Sequence, residues 1–162
     1  MNSTLLPLRA QSPQHRLAGG LVLVGYEDHE LGPQFVMASA FNSLSLTPKL
    51  VMWCAAQGID GRPRIPIGAH CGLSVMAADH RDLWAQCAKD CNADRFQWTR
   101  GPSLEVPLVE NAAANFEVIV TQQIVQGSHV LCIGEVQSFD YSETCEGLLS
   151  YQDDLRIPLT CE

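Results

Sequence analysis

Basic side chains are scarce in this sequence: 10 Lys and Arg stand against 18 Asp and Glu in 162 residues, for a formal net charge of -8. A protein that grips a nucleic-acid backbone needs a stripe of Lys and Arg to replace counterions, and the densest pair here is only Arg62 with Arg64. That class is excluded. Long apolar runs are missing too. The two longest, Leu17 to Gly25 and Leu50 to Ala56, fall far short of the roughly 20 residues that cross a bilayer as a helix. Residues 1–16 are polar, interrupted by proline and without a small-residue cleavage site, so they read as an N-terminal arm rather than a secretory signal. With no export signal, a cytoplasmic location is expected, and the 7 cysteines, an odd number, are read as reduced thiols. Charge of either sign is thin, at 17% of residues against roughly 25% in a typical soluble domain. Such a surface suits a core-rich monomer or a chain that hides part of itself in an oligomer interface.

Several signatures of large enzyme classes are absent as well. No G-x-G-x-x-G opens a helix, and there is no G-x-x-x-x-G-K-[ST], G-x-S-x-G or H-E-x-x-H. Rossmann, P-loop and nucleophile-elbow chemistry are unsupported.

What is present is a chain of one-domain length, 46% hydrophobic, whose apolar residues fall mostly in strand-like runs. Leu17 to Tyr26 and Phe35 to Phe41 form two such runs around a polar turn, which predicts an antiparallel hairpin. Leu50 to Ala56 is continuously apolar, the pattern of a strand covered on both faces. The Gly- and Pro-rich stretch 58–66 is a loop, and His70 to Ala77 a further strand. From Asp79 to Cys91 the period changes. Leu83, Trp84, Cys87, Ala88 and Cys91 share one stripe, which predicts a helix with Asp79 as N-cap and Asp82 in the capping position. Cys87 and Cys91, with His80 near, have the spacing of a metal clip, but both lie on the apolar stripe and no further ligand pair is at hand, so they read as small core hydrophobes. Phe116 to Val125 and His129 to Phe139 are long β runs joined by Gln126-Gly127-Ser128, a hairpin signal. Six or seven strands, mostly in hairpins, with one inserted helix, predict an antiparallel barrel or sandwich.

Three stretches carry a resemblance. Met37-Ala38-Ser39-Ala40-Phe41-Asn42-Ser43-Leu44-Ser45-Leu46, followed by Pro48 and Leu50-Val51, resembles the T-A-S-S-F-x-S-V-S-L-x-P-P-L-V segment of the short-chain flavin reductases. Gly127 to Val136 is similar to that family's G-D-H-x-x-x-x-G-x-V, and Leu148-Leu149-Ser150-Tyr151 to its P-L-L-Y. The resemblance covers roughly Leu17 to Leu159 and implies an FMN-binding split β-barrel with one or two helices over residues 17–162, assembled as a homodimer. It implies hydride transfer from NADH or NADPH to FMN or another flavin, with a flavin-dependent monooxygenase as recipient of the reduced flavin. The alternative is a split-barrel protein that binds a flavin or another ligand without turning it over.

The same resemblance implies site residues. Ala38, Ser39, Ala40, Phe41, Asn42 and Ser43 would let backbone approach the isoalloxazine ring, and Trp53, Cys54, Ala55 and Ala56 would lie along it as a strand end. His129 corresponds to the family histidine on the nicotinamide side, where an imidazole can hold the dinucleotide near the flavin. Tyr151 would flank the same pocket. Arg62 falls near the Ser-Arg-Ser/Thr loop that holds the FMN phosphate, here reduced to Gly61-Arg62-Pro63-Arg64 with a guanidinium and no hydroxyls. Met37, Lys49, Ser74 and Ser128 replace a Thr, a Pro, an Asn and an Asp of the family pattern, and the expectation is that these changes fall at ligand-facing positions.

Overall fold

The computed structural model of the chain describes residues 13–158 other than Ile59, Arg62, Asp90, Phe96 and Asp153. Its strands are β1 (Gly19–Gly20), β2 (Val22–Asp28), β3 (Gly32–Leu46), β4 (Lys49–Ala56), β5 (His70–Val75), β6 (Trp98–Arg100), β7 (Pro107–Val109), β8 (Ala114–Gln126), β9 (His129–Tyr141), β10 (Leu149–Tyr151) and β11 (Asp154–Arg156). Six of them close a barrel in the order β2-β3-β4-β9-β8-β5, every pair antiparallel. The expected antiparallel architecture is thus a barrel rather than a sandwich, built from the β-branched and leucine runs already noted. Gln126 and His129 pair directly across the turn at Gly127, where φ is +59° and glycine adopts the left-handed conformation freely.

Two apolar clusters divide the core. The first fills the barrel with Val22, Val24, Val51, Trp53, Leu73, Val118 and their neighbours. Within β4 the run that read as covered on both faces alternates instead: Val51, Trp53 and Ala55 are buried, while Met52 and Cys54 are half-buried. A barrel strand has one inner face, so only every second side chain enters the core. The second cluster lies outside the barrel and joins Leu21, Leu23, Phe35, Met76, Cys87, Val109 and Leu148.

The helix is shorter than its stripe predicts. A 3-10 turn at Ala78–His80 precedes α1 (Arg81–Cys87). Asp79 does not cap it; the Ala77 N–H donates instead to His80 Nδ1 at 3.3 Å. Burial holds the His80 imidazole below its ordinary pKa against the opposing pull of Asp79, which keeps Nδ1 available as an acceptor. The last turn tightens as Lys89 N–H donates to Gln86 O at 2.9 Å. The chain then leaves the helix through an Asx turn, with Asp94 N–H donating to Asn92 Oδ1 at 3.0 Å. The stripe itself keeps its role, since Cys87 is buried and Leu83, Trp84 and Cys91 pack against the second cluster.

Two further devices fix the elements around the barrel. Gly25 and Gly72 pair in register on β2 and β5, and a Cβ at either would strike the Pro107 carbonyl, so β7 crosses them at backbone contact. The buried Glu117 carboxylate accepts the N–H groups of Ser103 and Leu104, the latter at 2.6 Å, and secures the loop that leads into β7. Ser74, also buried, accepts the Val109 N–H at 2.9 Å. Its hydroxyl serves the packing of β7, and Ser74 does not line the groove described below.

Candidate functional site

A groove of about 910 Å³ opens beside the barrel, and three pieces of chain build its walls. One wall is β3, through Met37, Ala38, Ala40, Phe41 and Asn42. This strand pairs with β2 only as far as Ala38 and with β4 from there on, with an irregularity between Ala38 and Ala40. Beyond Ala38 its other backbone edge therefore has no strand partner among the described residues, and its N–H and C=O groups are available to a ligand.

The opposite wall is Leu17 to Leu21, which includes β1, together with Ser150 and Gln152. β1 pairs with β10, and β10 with β11. The Leu21 N–H donates to Leu148 O, the Met76 N–H to Leu21 O and the Leu148 N–H to Met76 O, so this small sheet is tied to β2 and β5. The third wall is α1 and its end, through Trp84 and Ala88. Arg81 Nη2 donates to Leu155 O at 2.5 Å and joins the helix to β11.

Ala56 and His129 line the groove as a register pair on β4 and β9. His129 is exposed, and its Nδ1 lies 2.9 Å from Ser128 Oγ, which leaves Nε2 to meet a ligand. Gln57 pins the turn beside it twice: its N–H donates to Ser128 O at 3.1 Å and its Nε2 to Gly127 O at 3.1 Å. Among the described lining residues His129 is the one titratable side chain. An acidic protein thus presents a largely uncharged, mostly apolar slot with backbone polar groups along one edge. A flavin fits this donor set: its flat ring needs apolar room, and its polar rim needs N–H and C=O partners.

Of the residues expected at the site, Ala38, Ala40, Phe41, Asn42, Ala56 and His129 come together in the groove. Trp53 and Ala55 do not; they point into the barrel, and the Trp53 ring lies against Gly134. Cys54 is half-buried on the opposite face of the same strand, where desolvation raises its thiol pKa. The strand alternation that a four-residue segment hides explains Trp53 and Ala55; Cys54 shares the outer face with Ala56 but lies two residues short of the groove. Ser43 is exposed on β3 past the groove, and Tyr151 sits between the lining residues Ser150 and Gln152 without lining it itself. Arg62 and the side chain of Ser39 lie outside the described residues. Arg64, which is exposed, shares a small adjoining pocket with Ala56. Among the replaced family positions, Met37 lines the groove and Ser128 supports His129, whereas Lys49 lies over the Phe139 ring at 5.0 Å.

Sequence reading missed Gly19, Gly20, Trp84, Ala88 and Gln152. The Gly-Gly pair inside a strand-forming run was the available signal, because glycine weakens a strand unless something approaches its backbone.

Comparison with known proteins places this fold in a family. Residues 14–157 match the model of the flavin reductase like domain. The NADH-dependent flavin reductase of a Rhodococcus species is 27% identical over 148 residues, covering 88% of this chain and 82% of that protein. The actinorhodin polyketide dimerase of Streptomyces coelicolor is 29% identical over 152 residues, covering 90% and 82%. Among solved structures, the NADH:FAD oxidoreductase of Streptomyces globisporus with NAD and FAD fragments superposes with a TM-score of 0.75 at 24% identity, covering 88% of this chain and 86% of that one.

Proposed function

The chain belongs to the flavin reductase-like family, and from that premise we propose that it is an NAD(P)H-dependent flavin reductase working in the groove beside β3. The feature that supports this best is the groove's make-up: a β3 wall with alanines at 38 and 40 and a backbone edge without a strand partner among the described residues, and one histidine at its end. When bound, the nicotinamide and the flavin supply hydride donor and acceptor between them. The protein's part is positioning. Ala38, Ala40 and Ala56 leave room for the ring, while Asn42 and the β3 backbone hold its polar rim. His129 Nε2, aimed by Ser128 and by the Gln57 ties, holds the carboxamide or phosphate of the dinucleotide. The groove needs no other acid or base, because hydride passes without a protein proton donor.

Two extensions belong to the same proposal. Reduced flavin leaves for a flavin-dependent monooxygenase, and two copies of the chain form the working unit. The second rests on the low charge content and on exposed apolar side chains of the strand ends, Leu44, Leu46, Phe139 and Tyr141.

The test is NADH and NADPH oxidation followed by absorbance with FMN, FAD or riboflavin added in turn. At least one pairing should consume the reduced dinucleotide catalytically. Flavin binding without any oxidation would leave a ligand-binding protein and end the reductase reading.

A further inference from the structure

Trp84 is the large aromatic side chain that α1 brings to the groove. It is half-buried and packs against the second core cluster, so the indole is supported from behind while lining the groove. Gly19 and Gly20 line the same groove. A Cβ built at either would meet no atom within 4 Å, and neither residue is in the left-handed region. Neither internal packing nor backbone conformation therefore asks for glycine at these two positions. A flat ligand lying against the strand does ask for it, since a side chain there would hold the ligand off the backbone.

We propose that Trp84 and the Gly19–Gly20 strand form the recognition slot for the planar isoalloxazine ring, with Trp84 setting affinity for ligands that carry this ring. The assignment rests on the flavin-reductase reading and adds to it a residue that decides which molecule is held. An indole offers a broad apolar face at little entropic cost, and ring-to-ring contact adds to simple burial.

The full chain, freed of bound ligand, is titrated with riboflavin, FMN and NAD⁺ while flavin emission is followed. Trp84→Phe, Trp84→Ala and Gly20→Ala are compared with the unaltered chain. Indole in contact with the ring quenches its emission, so bound riboflavin and FMN should be dark in the unaltered chain and bright in Trp84→Phe. Trp84→Ala should weaken riboflavin and FMN by the same factor, roughly tenfold, with NAD⁺ unchanged. Gly20→Ala should keep the thermal midpoint, having no neighbour to strike, and still weaken riboflavin. Trp84→Phe retains an aromatic ring against the core, so its emission decides the matter even where Trp84→Ala fails to fold. Unchanged emission in Trp84→Phe with unchanged flavin affinity overturns the slot and leaves the reductase reading standing. A loss confined to NAD⁺ also overturns it. No flavin binding by the unaltered chain overturns both.

Discussion

His129 owes its position to its neighbours more than to itself. Its turn is held by two bonds from Gln57 and its ring by Ser128 Oγ, while its own side chain is exposed. His129→Ala should therefore leave stability within about 0.5 kcal/mol of the unaltered chain, as for other surface changes. The KM for the dinucleotide should rise, by up to roughly tenfold for the loss of one hydrogen bond, with the KM for flavin unaffected. Steady-state kinetics with each substrate varied separately check this, and an unchanged dinucleotide KM would remove the role given to the imidazole. His129 and the Ala38 to Asn42 segment were legible in the sequence because motif and position coincide there. Trp53 was not, because a motif gives a position along a strand while the pleat decides which face a side chain takes. Trp84 was visible as part of a helical stripe, but periodicity could not say that the stripe's edge borders a groove.

At the scale of elements, β7 lies across β2 and β5 because two glycines in register leave no side chain between the strands and the Pro107 carbonyl. Gly25→Ala and Gly72→Ala should each destabilise by about 1–3 kcal/mol, the usual cost of forcing volume into a packed contact. The double variant should cost less than the sum, since the first displacement of β7 already makes room for the second. Denaturant unfolding of the single and double variants measures both quantities, and strict additivity would show that β7 is not the shared obstacle. The β8–β9 hairpin could be read from its two long runs and the Gly-Ser turn, and the hairpin of β2 with β3 likewise. Helix length could not. The apolar stripe runs on to Cys91, but the last hydrogen bonds of α1 are made in a tightened turn and Asn92 redirects the chain, events governed by local bonds that leave no trace in hydrophobic period. Nor were β1, β10 and β11 legible as a sheet, being two or three residues each and defined by partners far away in the chain.

For the molecule as a whole, the charge deficit and the exposed apolar strand ends point the same way. Leu46 is 83% exposed and Tyr141 62%, high values for large, mainly apolar side chains. Light scattering should find a mass twice 17.7 kDa, and Leu46→Glu with Tyr141→Glu should shift the population toward the single mass. A single mass for the unaltered chain would end the dimer proposal. The small sheet that closes the groove has a different consequence, one that concerns the time at which the site comes into being. Residues 19–21 are made before β2, but their partners Leu148, Leu149 and Ser150 follow β9 in the chain. The barrel strands β2 to β9 are all made before that wall can pair. A growing chain can therefore fold most of its core and still have an unfinished groove, which closes only once β10 has been made.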